Sequence, residues 1–175
     1  MSTPRIFIPC DAAALSVGAN SVVRAIADEA ARRGLAVEIV RTGSRGMLWL
    51  EPLVEVATPE GRIGYGPVAS RDVAALFDAD FLSGGAHAKA LGRVDDLDWM
   101  RRQRRVTFAR VGVTDPLSIE DYRAHGGLRG LERALQTSGN AASLRRVRGA
   151  GYLASKQYDK AIADLGESLN AERLS

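Results

Sequence analysis

The first apolar run, Arg5-Ile6-Phe7-Ile8-Pro9, is short and closed by a proline, the pattern of a strand leaving a sheet. Val22, Val23, Ile26 and Ala30 then recur at helical spacing, with Asn20 and Ser21 as the expected N-caps and Gly34 as the expected stop. Ala36 to Arg41 (AVEIVR) reads as a second strand, and the glycine-bearing loop Thr42-Gly43-Ser44-Arg45-Gly46 leads from it into Met47 to Leu50. Leu53 to Ala57 (LVEVA) alternates as a half-buried strand does. Thr58-Pro59-Glu60-Gly61 has the residues of a turn, so Arg62 to Tyr65 (RIGY) is expected to return as the other strand of a hairpin. Ser70 is the expected cap of a helix through Phe77, with Asp72 in its first turn, where the helix dipole favours an anion.

Past this point the pattern loosens. Ser83 to Gly92 is a Gly/Ala-rich connector and Asp95 to Gln103 a short helix. Asp115-Pro116-Leu117 interrupts regular structure, and Ser118 with Asp121 three residues on begins a further helix in a relative of the capping box. Gly126-Gly127 ends it, and Leu128 to Leu135 (LRGLERAL) starts another. After Thr137-Ser138-Gly139-Asn140 the chain reads as helical to its end. Strand, helix, strand, hairpin, helix is the element order of a thioredoxin-like α/β layer. The expected segments are a thioredoxin-like domain over 1–82, a connector with helices over 83–136 and a helical hairpin over 137–175.

Composition narrows the chemistry. With 46% hydrophobic and 26% charged residues among 175, the chain has the make-up of a globular domain. Its apolar runs fall short of the ~18 residues of a membrane span. Met1 leads through Ser2, Thr3 and Pro4 directly into a strand, without the pattern of a secretory signal, so a cytoplasmic location is expected. The formal charge is +3, and much of the excess is packed into Arg101, Arg102, Arg104 and Arg105. Without interleaved aromatics or a nucleic-acid module, this run reads as a solvated face or a subunit contact, and no nucleic-acid partner is expected. One cysteine, Cys10, cannot form an intramolecular disulfide, a structural zinc site or an iron–sulfur centre by itself. It reads as a small thiol at a strand end, since no C-x-x-C motif or resolving cysteine makes it a redox centre. His87 and His125 lie far along the chain from it. Asp95-Asp96 and Glu120-Asp121 are sequence neighbours, which on a helix do not share a face, so they read as solvated or capping groups. No catalytic, cofactor-binding or metal-binding residue is assigned.

Three stretches carry a family resemblance: IPCDAAALSVGA (Ile8 to Ala19), RTGSRGMLWLEPLVEVATPEGRIGYGPV (Arg41 to Val68) and RVTFARVGVTDPLSIEDYRAHGGLRGLERAL (Arg105 to Leu135). Together, over roughly residues 4–136, they resemble the N-terminal region of the beta subunit of NAD-dependent, molybdenum-containing formate dehydrogenases. The third is also similar to the start of the flavin-binding subunit of respiratory complex I. The resemblance implies a thioredoxin-like domain of degenerate 2Fe–2S ferredoxin type, ahead of an FMN- and NAD-binding domain and a helical domain with a 4Fe–4S cluster. Formate would be oxidised in a molybdenum alpha subunit, with a gamma subunit as a further partner. In the 2Fe–2S type, one cysteine pair follows the first strand and a C-x-G-x-C pair sits in the loop after the second. Here Cys10 lies in the first region, and Ser44, Gly46 and Leu48 stand at the second. A leucine supplies no ligand and a serine hydroxyl is a poor substitute for a thiolate, so no cluster, FMN or NAD is expected on this chain. Arg148-Gly149-Ala150-Gly151-Tyr152 resembles the family's glycine-rich flavin loop only faintly.

The tail fits another pattern better. Gly149, Tyr152, Tyr158, Ala161, Leu165, Ser168 and Leu169 match positions of a single tetratricopeptide repeat, with YDKAIADL the most characteristic part. In that pattern Gly149 lets its helix approach Ala161, and Tyr158, Ile162, Leu165 and Leu169 form an apolar stripe. One repeat does not bury its own face, so the tail is expected to be a helical pair covering apolar surface. From the change of character near Leu135 to Asn140, a truncated or fused gene is expected. The expectation is an accessory, structural component of a formate dehydrogenase, inactive in isolation. A small protein-interaction module is the alternative.

Overall fold

The computed structural model describes residues 3–136, 141–154 and 156–173, which divide into two compact units, Met1–His125 and Gly126–Ser175. In the first, the chain runs through β1 (Arg5–Pro9), α1 (Ala12–Ser16), α2 (Ala19–Arg32), β2 (Glu38–Thr42), β3 (Val54–Thr58), β4 (Gly61–Tyr65), α3 (Val73–Asp78), β5 (Ala90–Arg93), α4 (Asp98–Arg101) and α5 (Ile119–Ala124). The five strands form one sheet in the order β2-β1-β3-β4-β5. β1 and β2 are parallel, Arg5 opposite Glu38 through Pro9 opposite Thr42, and the remaining neighbours are antiparallel. This is a thioredoxin-like α/β layer, followed by a helical C-terminal segment.

Alternation along the strands separates two faces. Ile6 and Ile8 of β1, Val54 and Val56 of β3, and Tyr65 of β4 are buried in the main core with Val22, Ile26 and Ala30 of α2 and Leu76 and Phe77 of α3. Phe81 joins them, edge-on to both Tyr65 and Phe77 at ring-centroid distances of 5.8 and 4.9 Å. The Tyr65 hydroxyl donates to the Gly85 carbonyl at 2.8 Å, so this large buried side chain carries no unpaired polar atom. A second, smaller core of Met47, Leu53, Val94 and Met100 lies under the loop between β2 and β3.

Several ends differ from the sequence expectation, each for a local reason. An additional helix, α1, precedes α2, capped by the Asp11 carboxylate, which accepts from the Ala13 and Ala14 N–H groups. Asn20 and Ser21 do not cap α2, which begins after Gly18, and the Asn20 side chain instead accepts from Arg41 at 2.9 Å. Gly34 does mark the stop, at φ 68, and the Leu35 N–H folds back to the Ala30 carbonyl. Ser70 opens a 3₁₀ turn ahead of α3, where the Asp72 carboxylate accepts from the Ala69 N–H. β5 forms inside the expected connector, pairing Ile63 with Arg93 and Gly64 with Gly92. The expected helix over Asp95 to Gln103 is a 3₁₀ turn (Val94–Asp96) followed by α4. Ser118 caps α5 as expected, accepting from the Asp121 N–H at 3.1 Å.

The second unit holds α6 (Arg129–Gln136), α7 (Ala141–Ala154) and α8 (Tyr158–Arg173). α7 and α8 pack as a hairpin, tied by Arg148 to Asp164 and by Arg145 to Glu167 at 3.1 Å. The Arg148 hydrogen bond holds the Asp164 carboxyl below its ordinary pKa, with desolvation opposing it. A Cβ on Gly149 would come 2.8 Å from Leu165, so this glycine accommodates Leu165 and Asp164, while Tyr158 and Ile162 of the expected stripe are 55% and 70% exposed. The side chains of Ser168 and Leu169, and the Thr137 to Asn140 break, lie outside the described residues.

Buried aromatic packing should dominate the sheet unit's stability. Phe81→Ala is expected to lower the unfolding free energy by about 3–5 kcal/mol. Tyr65→Phe, which removes only the hydroxyl bonded to Gly85, is expected to cost about 1 kcal/mol in the same urea titration.

Candidate functional site

The C-terminal ends of β1 and β2 lie side by side, and there the Cys10 N–H donates to the Thr42 carbonyl at 2.8 Å. The loop from Gly43 to Leu53 starts at this edge and sits over the second core. Of the three sequence-selected positions, Cys10 is partly buried just past β1. Ser44 is tied into the loop: its hydroxyl donates to Glu51 at 2.9 Å and accepts from the Gly46 N–H at 3.0 Å. Leu48 opens a 3₁₀ turn and is 57% exposed. These residues do not fit a centre with four thiolate ligands: one is a hydrocarbon, and the serine hydroxyl is engaged on both sides. Among the described residues, no group of three or more His, Cys, Asp or Glu side chains is placed to hold a metal ion.

What holds the loop is a pair that the sequence reading did not identify. Arg45 turns inward and meets Glu55 of β3 through two hydrogen bonds, 2.9 Å from Nε and 2.8 Å from Nη2. Both side chains are buried. Arg62 of β4 approaches the same carboxylate at 3.4 Å and lies over the Phe7 ring, 3.3 Å from its centroid. Its guanidinium also donates to the Gly112 and Val113 carbonyls, both at 2.8 Å. Phe7, Glu55 and Arg62 therefore belong to the face of the sheet opposite the main core, and the backbone near residue 112 is strapped across that face. Gly112 has φ 81, and a Cβ there would lie 2.5 Å from Cδ of Arg45, so the strap requires glycine.

Electrostatics follow from this burial. Desolvation works against the charge on Arg45, but the hydrogen bonds and charge of Glu55 outweigh it and leave its pKa above the ordinary value. Arg62, with weaker pairing, is lowered by desolvation. Glu51 is raised by burial, against the opposing hydrogen bonds from the Leu53 N–H and Ser44 and with a further push from the charge of Asp11. The second oxygen of Asp11 is itself buried and has no hydrogen-bond partner among the described residues. His87 and His125 serve local turns: Nδ1 of His87 accepts from the Lys89 N–H, and His125 lies beside Asp121 of its own helix.

Beside the loop is an open groove of about 830 Å³ whose lining includes Ser44, Arg45, Trp99, Arg102, Arg104 and Phe108. Trp99 is packed edge-on by Trp49 at a centroid distance of 5.1 Å. Three of the four arginines of the basic run, Arg102, Arg104 and the half-buried Arg105, thus line the same concavity as exposed aromatic surface.

Comparison with known proteins gives the following. No protein-family model matches the chain, and no curated protein matches it. Solved structures that match include the thioredoxin-like [2Fe-2S] ferredoxin from Aquifex aeolicus, 16% identical, covering 53% of this chain and 100% of that one, at a TM-score of 0.43. A serine-for-cysteine variant of the same ferredoxin is 18% identical, covering 51% of this chain and 99% of its own, at a TM-score of 0.44.

Two outcomes test the site. Glu55→Gln should destabilise the protein by about 3–5 kcal/mol in chemical denaturation, because Arg45 is left buried without its counter-charge, while the joint replacement Arg45→Met with Glu55→Leu should cost less. Glu51, with its raised folded pKa, favours the folded state below the ordinary carboxylate range and loses that contribution as pH rises through the folded pKa. The stability of the wild type relative to Glu51→Gln is therefore expected to fall as pH rises from the ordinary carboxylate range through the raised folded pKa, measured by urea midpoints over a pH series.

Proposed function

We propose that this chain is a docking element of an NAD-linked formate dehydrogenase, corresponding to the N-terminal region of its beta subunit, and that it carries neither a cluster nor a flavin itself. The observation that carries the reading is the state of the loop after β2. Ser44 is bonded to Glu51 and Gly46, and Arg45 is locked on Glu55, so its polar groups are committed to holding shape. A loop built this way offers a rigid surface and no electron-carrying ligand set. The three motif stretches, which include both the loop and the strap, supply the family side of the proposal.

In such an assembly formate would be oxidised in the molybdenum subunit, and hydride chemistry at the flavin and NAD would belong to those cofactors. The part of this chain is to present a fixed face, with Arg45, Glu55 and Arg62 setting the geometry of the loop and strap that border it. A second reading, a free-standing interaction module, is favoured by Tyr158 and Ile162, which leave apolar surface exposed on the α7–α8 hairpin.

Coexpression with formate dehydrogenase alpha and gamma subunits tests the first reading: the tagged chain is expected to copurify with the molybdenum subunit and, when isolated, to lack flavin absorbance. A stoichiometric yellow flavin on the isolated chain would refute the cofactor-free part. Capture lost on deletion of residues 140–175 would transfer the function to the hairpin.

A further inference from the structure

We propose that the groove lined by Trp99, Arg102, Arg104, Val106 and Phe108 is a docking site for an acidic polypeptide segment bearing an aromatic or leucine anchor. The inference names the contact face of the docking role above and rests on that reading.

The groove has two chemistries side by side. Its apolar part is unusually open, with Trp99, Val106 and Phe108 exposed to 46%, 76% and 65%. Apolar surface rimmed by polar groups is the signature of a protein contact, and Trp and Arg are the residues over-represented where such contacts are tightest. The Trp99 ring is held by edge-on packing against Trp49. An anchor residue could therefore dock without first ordering the indole.

The rim is cationic. The Arg102 and Arg104 side chains are exposed, and the salt bridge from Arg102 to Asp98 is itself between two largely solvated groups. Such a pair is weak and easily exchanged for a partner's carboxylate. Charge complementarity thus asks for Asp or Glu flanking the anchor.

Two other occupants fit less well. A small anion could use the sheltered guanidiniums of Arg45 and Arg105, but Arg45 has its Nε and one Nη taken by Glu55, and a small anion would leave the apolar surface of Trp99, Val106 and Phe108 uncovered. A nucleic-acid backbone would meet the same cationic rim, but the sequence holds no recognisable nucleic-acid module, and the exposed aliphatic Val106 offers a contact that base stacking does not use.

The chain's two tryptophans, Trp49 and Trp99, both belong to this feature, so intrinsic fluorescence reports on it directly. The full chain would be titrated with a short synthetic peptide of Glu and Asp flanking a Phe-Leu pair, with the same peptide carrying Lys in place of the acids, with ATP and with a single-stranded oligonucleotide. A saturable emission shift with the acidic peptide is expected, weakened about tenfold or more by Arg102→Glu with Arg104→Glu and similarly by Phe108→Ala. Circular dichroism is expected to be unchanged, because the altered side chains are exposed. No saturable shift, an equal response to the lysine peptide, or preferential binding of ATP or the oligonucleotide would overturn the proposal. In the subunit-capture experiment, failure of the unaltered chain to copurify ends the docking reading as a whole. Capture that survives Arg102→Glu with Arg104→Glu overturns the groove alone.

Discussion

A buried guanidinium and a buried carboxylate, Arg45 against Glu55, hold the loop after β2 against the sheet. Taking both charges out of water costs several kcal/mol per ion, and the fold offsets that cost through two aligned hydrogen bonds, Asp95 at 3.7 Å from Arg45, and the Arg62 guanidinium with the Phe7 ring beneath it. The geometry then propagates. Arg45 fixes the loop after β2; Arg62 fixes the backbone at Gly112 and Val113; and the groove opens where loop and strap meet α4. Rigidity here comes from directional polar bonds on one sheet face, whereas on the other it comes from apolar packing around Ile8, Ile26 and Phe81.

The two faces explain what the sequence disclosed. β1, α2 and the β3–β4 hairpin were legible because their apolar residues repeat with local periods and their turns contain Gly or Pro. β5 was not, since Ala90-Leu91-Gly92-Arg93 has no β-branched residue and gains strand character only from the free edge of β4. Glu55 reads as the solvent-facing member of an alternating strand, and its burial is decided by arginines ten residues before and seven residues after it. Asn20 was expected as a cap because its type favours that role, but Arg41 from the neighbouring strand claims its oxygen.

At the candidate site the chemistry of single residues was legible and their partners were not. Ser44 and Leu48 are poor cluster ligands by type alone. That Arg45, between Ser44 and Gly46, turns into the interior has one sequence trace: a carboxylate set between apolar residues in Leu53-Val54-Glu55-Val56-Ala57, with arginines near it on both sides. The tail shows the converse case, where a repeat-like pattern indicated a helical hairpin but not which of its side chains meet, because Arg148 and Asp164 occupy the seam.

The strap at residues 112–113 is gripped by its carbonyl oxygens, groups that every amino acid supplies. Its side chains are therefore free to drift over evolutionary time while the path of the backbone stays the same. Gly112 is the exception, confined by φ 81 and by the proximity of Arg45. Relatives of this chain would be recognised here less by similar residues than by a lone glycine standing opposite a charged strand.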